Sequence, residues 1–239
     1  MNSVGIIGFG RFGKVLLNIL QKGFSVSVFD LKIENSFSNV NFQDLDYVLK
    51  QKTIFISVPI SNFESLIKEI APKLKKGQTI IDVCSVKIYP IKVMINNLDK
   101  SIGIIGTHPM FGPDSYQSNK KLKMMLNKTR DLYHQFSFWR QYFTDQGIQT
   151  LEMSAEDHDL MASKTQGVTH FLGRMLKEYG IQKTSIDTQG FRDLLDLVEQ
   201  TCNDTWELFK DLQLYNPYTE EMIKKLKDAT TKIDERLTK

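Results

Sequence analysis

The feature that most constrains the fold of this chain is a glycine-rich segment, Gly8-Phe-Gly-Arg-Phe-Gly13, near its amino terminus. It follows an apolar run at residues 4–7 that has the character of a β-strand, and it leads into an amphipathic, helix-like stretch. In such a turn the first glycine permits the sharp bend, the second lets the backbone approach a pyrophosphate, and the third allows close helix–strand packing. The segment therefore predicts an α/β fold that binds a dinucleotide.

The pattern of the first 150 residues is that of a doubly wound, Rossmann-type sheet. Short apolar runs alternate with helix-like stretches at 12–22, 63–74 and 132–143, and this rhythm predicts a parallel sheet with helices on both faces. Such a sheet binds its ligand where the strands end, at the topological switch point. The candidate strands are residues 4–7, 26–29, 54–58, 79–83, 102–105 and 148–152.

Residues 151–239 have a different character and predict a smaller, all-helical domain. A capping-box-like start at Ser154 opens a long helix towards Tyr179, which Gly180 can end. A second helix is expected at about 191–214, and a third follows Pro217; no strand signal occurs after residue 153. Because three helices cannot enclose much core alone, we expect this domain to contribute to the substrate site and to form a homodimer.

The composition argues against several classes of protein. The 31 basic and 28 acidic residues are interspersed and give a net charge of +3, so no nucleic-acid partner is expected. No apolar run approaches 18 residues and no signal peptide is recognisable, so neither a membrane partner nor secretion is expected. Cys84 and Cys202 form no disulfide framework or zinc pattern, which favours a cytoplasmic protein. Two lysine clusters are expected on the surface: Lys73, Lys75 and Lys76, and Lys120, Lys121 and Lys123.

An acidic residue strengthens the dinucleotide prediction and bears on the cofactor. Asp30 ends the second candidate strand, 22 residues after Gly8, where a carboxylate can accept hydrogen bonds from the adenosine ribose. It would repel a 2′-phosphate, so NAD is favoured over NADP, although Arg11 and Lys32 lie close in sequence and keep NADP open.

The second strong signal is a histidine after the fifth candidate strand, in Gly106-Thr-His-Pro-Met-Phe-Gly-Pro-Asp-Ser115. We expect His108 on a loop at the carboxyl edge of the sheet, beside the nicotinamide. A histidine has an unperturbed pKa of about 6.5, which suits a general base near neutrality.

These motifs, taken in order, resemble those of the prephenate and arogenate dehydrogenases. The resemblance extends from residue 4 to about 218, and its downstream part is closest to the arogenate-using branch. It rests on Gly8–Gly13, Ser57-Val-Pro-Ile60, Asp82-Val-Cys-Ser-Val-Lys87, His108-Pro-Met-Phe-Gly-Pro-Asp-Ser115, Glu156-Asp-His-Asp159, Gln166-Gly-Val-Thr-His170 and Asn203-Asp204. It implies oxidative decarboxylation of prephenate or arogenate, with hydride transfer to NAD(P), giving 4-hydroxyphenylpyruvate or tyrosine plus carbon dioxide.

The resemblance also implies roles for individual residues. Ser85 and His108 match the positions that hold the substrate's ring hydroxyl, and His108 would polarise it or accept its proton. Gln166 and His170 match substrate-pocket positions on the first helix of the second domain. The expected cofactor-binding residues are Gly8, Gly10, Arg11, Phe12, Gly13, Asp30, Val58 and Pro59.

One departure from the family pattern concerns the ring carboxylate of the substrate. Many prephenate-using relatives bind it with an arginine in the second domain, where this chain offers Asp196 or Gln200. Arg192 is displaced by about two helical turns from that position, and we take it as the candidate replacement.

Other readings of the chain stay open. A β-hydroxy-acid-type dehydrogenase of similar build would need a catalytic lysine in the helical domain and no special role for His108. A non-catalytic, nucleotide-sensing relative would keep the fold and lose turnover. No metal site is expected: His158 has no zinc-like spacing and would secure a helix start, His134 joins a core-facing stripe, and Cys84 is a small buried residue.

Overall fold

The computed structural model describes residues 3–32, 39–117 and 121–238, which divide into two compact units, Met1–Glu156 and Asp157–Lys239. We call them the sheet unit and the helical unit. The sheet unit contains one seven-stranded sheet with the order β2-β1-β3-β4-β5-β6-β7. Its strands are β1 (Ser3–Ile7), β2 (Ser25–Phe29), β3 (Thr53–Ile56), β4 (Thr79–Asp82), β5 (Gly103–Pro109), β6 (Leu122–Arg130) and β7 (Ile148–Glu152).

Six helices in the described part of this unit accompany the sheet. A 3₁₀ turn, Ala71–Lys73, extends the third of them. Their apolar stripes face the interior, where Phe55, Phe63, Trp139 and Phe143 are almost fully buried. The helices are α1 (Arg11–Leu20), α2 (Leu45–Val48), α3 (Ile60–Ile70), α4 (Ile88–Asn97), α5 (Pro113–Gln117) and α6 (Gln135–Asp145).

The Rossmann-type fold is confirmed, but the expectation of a wholly parallel sheet is wrong at one strand. β1 to β5 pair in parallel, whereas β6 runs antiparallel to β5, and β7 is parallel to β6. The sequence reading missed β6 because polar residues flank its short apolar centre, Met124–Leu126, which is buried. Lys121 and Lys123 are exposed at its start, as expected, and Lys120 lies outside the described residues.

The chain continues into helices from residue 155 onward. The predicted helix from Ser154 to Tyr179 is observed as α7 and α8 joined by a π-helical turn, Ser163–Gly167, and Gly180 ends it with a φ of +86°. Gly173 lies so close to the next helix that a Cβ would stand 2.0 Å from Thr201 Oγ1. The helices are α7 (Ala155–Ala162), α8 (Val168–Tyr179), α9 (Gln189–Cys202), α10 (Trp206–Leu214) and α11 (Thr219–Leu237).

The single helix expected at 191–214 is wrong, since α9 and α10 are separate. α9 ends at Cys202, and Thr205 caps α10 by accepting a 3.1 Å hydrogen bond from the Leu208 amide at its side-chain oxygen. An N-cap residue has extended backbone geometry, so a capping threonine interrupts a helix even where the apolar periodicity continues. The apolar pattern on both sides concealed this break.

The surface of the described residues bears on several expectations. No helix among them is long and apolar enough to cross a membrane. Lys73, Lys75 and Lys76 are exposed. Neither Cys84, which is buried, nor Cys202 forms a disulfide bond. His134 is not in a core-facing stripe: it is exposed and precedes α6 in the left-handed region, with a φ of 53°.

Candidate active site

The glycine-rich loop lies between β1 and α1 at the carboxyl edge of the sheet. Gly8 has a φ of +101°, and a Cβ there would stand 2.2 Å from the Ser57 carbonyl oxygen. At Gly13 a Cβ would stand 2.4 Å from the Gly8 carbonyl oxygen. Both positions therefore exclude any side chain. Gly10, in contrast, has no atom within 4 Å of an added Cβ, which leaves open space beside the backbone.

Asp30 connects this loop to the end of β2. Its Oδ2 accepts a 2.5 Å hydrogen bond from the Phe9 amide, and its Oδ1 accepts a 2.7 Å bond from the Lys32 amide. The Gly8 amide donates to the Phe29 carbonyl at 2.8 Å. Because each carboxylate oxygen has two acceptor positions, Asp30 retains capacity for ribose hydroxyls after these bonds form.

The start of α1 is suited to an anionic group. Gly10 occupies its N-cap without a side-chain hydrogen bond, and the first turn carries no acidic residue. The amide groups of a first helical turn and the helix dipole favour negative charge at this end. Arg11 is partly exposed and pairs with Asp114 at 3.6 Å, while Phe12 packs against Phe111 with ring centroids 6.0 Å apart. The loop, the helix start and Asp30 thus fit a dinucleotide.

The neighbouring strand contributes a residue to which the sequence analysis gave no role. The Ser57 amide donates to the Ile7 carbonyl at 2.7 Å, and the Ser57 carbonyl lies against Gly8. Val58 and Pro59 follow, half-buried and exposed respectively, and Pro59 is the N-cap of α3. Ser57 therefore belongs to the floor of the glycine loop; its place in the Ser-Val-Pro motif was the available signal.

Ser85 and His108 extend from the ends of two adjacent strands. Asp82 of β4 pairs in register with Gly106 of β5, so Ser85 and His108 follow this pair at the same edge of the sheet. The expected loop position of His108 is wrong: it lies within β5, opposite Met125 of β6, and is 3% exposed. Pairing with the unforeseen β6 extends β5 to Pro109 and places this side chain on a rigid strand.

Asp82 and Lys87 form a buried ion pair next to the segments that carry Ser85 and His108. The sequence analysis gave neither partner a role. Asp82 and Lys87 are fully buried, and the Lys87 ammonium donates to Asp82 Oδ1 and, at 2.5 Å, to the Thr107 carbonyl. Thr107 Oγ1 donates to the Asp82 carbonyl at 2.6 Å. Burial raises the pKa of Asp82, and the Lys87 charge opposes that shift. Lys87 thereby joins the segments that carry Ser85 and His108.

In the helical unit, the residues expected to contact substrate have different surroundings. Gln166 lies in the π-helical turn and His170 in the first turn of α8, and both are partly buried. Burial lowers the pKa of His170, an effect that the Asp204 carboxylate opposes and the Arg174 charge reinforces. Arg192 is exposed near the start of α9 and donates to the Asp187 carbonyl at 2.6 Å and to Gln189 Oε1.

His158 has a carboxylate partner rather than metal-ligand neighbours. Its Nδ1 lies 2.8 Å from Asp159 Oδ1, with both side chains buried, and Asn216 donates to the Asp159 carbonyl at 2.8 Å. Within the described ranges, no group of three or more His, Cys, Asp and Glu side chains is arranged to hold a metal ion.

Comparison with known proteins identifies the family. Residues 25–128 match the family model described as prephenate dehydrogenase, nucleotide-binding domain, and residues 175–239 match one described as TYRAAT1-like, C-terminal domain. Arogenate dehydrogenase 2 of Arabidopsis thaliana, a chloroplastic protein, is 31% identical over 248 aligned residues, covering 98% of this chain and 69% of the relative. The chain belongs to the prephenate/arogenate dehydrogenase family.

Two further relatives are similar to this chain over most of its length. Arogenate dehydrogenase 1 of Arabidopsis thaliana is also 31% identical, over 93% of this chain but only 37% of its own length. A prephenate dehydrogenase from A. aeolicus, crystallised with hydroxyphenyl propionate and NAD⁺, has a TM-score of 0.78 at 19% identity and covers 100% of this chain and 91% of its own. The predictions of the family, of the Rossmann-type fold and of an NAD(P)-dependent oxidoreductase are confirmed.

Proposed function

We propose that this chain converts arogenate to tyrosine by oxidative decarboxylation, with NAD⁺ as the preferred hydride acceptor. The observation that carries the proposal is the placement of Ser85 and His108 on adjacent strand ends, at the sheet edge that also carries the glycine loop. The two Arabidopsis relatives named as arogenate dehydrogenases favour arogenate. Prephenate, converted to 4-hydroxyphenylpyruvate, is the second candidate, since the nucleotide-binding family model carries that name.

The chemistry assigns His108 the role of a reversible proton acceptor. Its imidazole and the Ser85 hydroxyl hold the ring hydroxyl, whose proton moves towards His108 as hydride leaves the same ring carbon. When bound, the nicotinamide cofactor accepts that hydride. The electron pair of the bond to the ring carboxylate enters the ring as carbon dioxide departs, and the proton returns to the phenol oxygen. The ring becomes aromatic, and charge balances without net proton release.

The remaining expected contacts complete this proposal. Asp30 would accept ribose hydroxyls, and Gly10 with the first turn of α1 would approach the pyrophosphate. Arg11, Phe12, Val58 and Pro59 would border the cofactor. In the helical unit, Gln166 and His170 would contact the substrate, as the family resemblance implies.

The test of the proposal is a panel of arogenate and prephenate, each with NAD⁺ and with NADP⁺, followed through the absorbance of the reduced cofactor. We expect the highest kcat/KM for arogenate with NAD⁺. Reduction with prephenate alone would move the assignment to the second candidate. A purified, folded chain that reduces neither cofactor with either substrate would refute the proposed activity.

Asp30→Ser should narrow the preference for NAD⁺ over NADP⁺ by about tenfold, roughly 1.4 kcal/mol. The substitution removes the charge that repels a 2′-phosphate and one acceptor for the ribose hydroxyls. Steady-state constants for both cofactors measure the effect, with Asp46→Ser, an exposed acid of α2, as the matched control. A wild-type enzyme that already prefers NADP⁺ would contradict this role of Asp30.

We further propose that the chain acts as a homodimer through its helical unit. Large apolar side chains are exposed there, including Leu214 at 71% and Ile233 at 59%. Single exposed apolar residues are normal on a protein surface, whereas several large ones in one unit indicate an interaction site. A second copy of the chain would cover them. Sedimentation equilibrium of the full chain should give twice the monomer mass at micromolar concentration. A monomer under those conditions would be the contrary result.

A further inference from the structure

The helical unit contains three buried polar atoms that lack a hydrogen-bond partner among the described residues. They are His170 Nδ1 and Arg174 Nε, both on α8, and Gln213 Oε1 on α10. Native structures pair the large majority of such atoms, because an unpaired buried donor or acceptor costs about 1–3 kcal/mol. Two of these atoms lie four residues apart on one helix, so they share a face. The side chains of His170 and Arg174 therefore each offer a buried polar atom on the same face of α8.

Arg174 is held in a fixed orientation that leaves part of its guanidinium for a ligand. The group stacks over the rings of Trp206 and Phe209, 5.4 and 5.6 Å from their centroids. Its Nη2 donates to the Asp204 carbonyl, which leaves the buried Nε unpaired. A guanidinium that is already oriented by ring stacking loses little freedom when it binds a planar anion.

His170 supplies the second donor of this pair in the tautomer that carries its proton on Nδ1. Because burial favours its neutral form, the ring brings a hydrogen-bonding N–H without adding a second full charge. A cationic fork beside a neutral donor suits a carboxylate, whose two oxygens only accept hydrogen bonds. His170 and Arg174 together thus suit a planar, monoanionic group, whereas Gln213 Oε1 only accepts hydrogen bonds and takes no part in binding it.

We infer that Arg174, with His170, binds the side-chain carboxylate of the substrate. This inference rests on the proposed function, and it concerns a different carboxylate from the ring carboxylate for which Arg192 is the candidate. The side-chain carboxylate persists through the reaction, whereas the ring carboxylate leaves as carbon dioxide. A fixed cation on the leaving carboxylate would stabilise the ground state and oppose its loss. On the side chain, the same cation stabilises substrate and transition state equally.

The surroundings of Arg192 favour Arg174 for this role. Arg192 is exposed, and three of its nitrogens already donate to the Asp187 carbonyl and to Gln189 Oε1. Among the described residues, neither Asp187 nor Gln189 has a buried side-chain atom that lacks a hydrogen-bond partner. The two arginines therefore form a matched pair for mutagenesis, one half-buried beside His170 and one on the surface.

The experiment measures binding of 3-(4-hydroxyphenyl)propionate and of its neutral amide by calorimetry, in the presence of NAD⁺. Wild type, Arg174→Gln, Arg192→Gln and the control Arg140→Gln, which changes an exposed arginine of α6, are compared as full chains, with the Kd for NAD⁺ as a check on folding. We expect wild type to bind the carboxylate at least tenfold more tightly than the amide. Arg174→Gln should abolish that preference and raise the substrate KM at least tenfold with little change in kcat. Arg192→Gln should retain the preference for the carboxylate, and Arg140→Gln should change neither the preference nor the kinetic constants.

The outcomes separate this inference from the proposed function. No carboxylate preference in wild type, or an unchanged preference in Arg174→Gln, would overturn the inference, and so would loss of preference in Arg192→Gln alone. These binding measurements need no turnover, so an inactive wild type would refute only the proposed activity. If Arg174→Gln does not fold, Arg174→Met is measured instead; it keeps an unbranched side chain but removes the charge, and an unchanged preference would again overturn the inference.

Discussion

His108→Asn should lower kcat by about 10²–10⁴, the usual range for loss of a positioned acid–base group. Asparagine preserves part of the shape and can donate a hydrogen bond, but it cannot accept and return the hydroxyl proton. Because His108 is on β5 and buried, the substitution should leave the strand in place and affect KM less than kcat. Steady-state kinetics on the full chain measure both constants.

The pH dependence provides the control for this substitution. The acidic limb of the kcat/KM profile should disappear in His108→Asn, since that limb would report protonation of the base. His134→Asn, which changes an exposed histidine of the same unit, should leave both the limb and the rate unchanged. A His108→Asn enzyme with near-normal kcat would assign the proton transfer to another group and revive the alternative type of dehydrogenase.

Lys87→Met should destabilise the sheet unit by about 3–5 kcal/mol, because it leaves the Asp82 carboxylate buried without a counter-charge. Asp82 Oδ2 already has no hydrogen-bond partner among the described residues. The variant also loses the donor to the Thr107 carbonyl, next to His108, so activity should fall as well. Urea unfolding, followed by fluorescence, measures the free energy of unfolding.

The two tryptophans make that measurement specific to one unit. Trp139 is buried in the sheet unit and Trp206 is exposed in the helical unit, so a Trp206→Phe background leaves one reporter. Lys76→Met, an exposed lysine, is the matched control and should change stability by less than about 0.5 kcal/mol. Adding Asp82→Asn to Lys87→Met should recover much of the loss. If Lys87→Met alone costs less than about 1 kcal/mol, the ion pair is not the stabilising element described.

Local signals predicted the position and backbone geometry of the glycine loop. Only glycine fits at positions 8 and 13, because an added Cβ would stand 2.2 and 2.4 Å from backbone carbonyl oxygens. The strand–turn–helix spacing of the motif predicts both positions. Asp30 could also be placed, because it ends the second strand. What sequence reasoning could not see was that both Asp30 oxygens accept backbone amides, since this depends on how two separate turns meet.

The errors share a physical cause, which is that long-range pairing overrides local pattern. β6 has a short apolar centre between lysine-rich ends, and its existence moves His108 from an expected loop into a strand. Lysine is usually a surface residue, but Lys87 is buried because its ammonium pairs with the buried carboxylate of Asp82, five residues earlier. Arg174 could have been noticed as one helical turn beyond His170, yet its two aromatic neighbours come from a helix more than 30 residues later.

The π-helical turn at Ser163–Gly167 has a consequence for how the helical unit tolerates changes in length. Such a turn contains one residue more than an α-helix of the same rise, and each residue rotates the following helix by about 100°. Deleting one residue there would give a continuous α-helix with more regular hydrogen bonds, but would turn the face that carries His170 and Arg174 away from α10. A more regular backbone at this point would therefore misalign the two side chains, so a functional site requires the less regular helix.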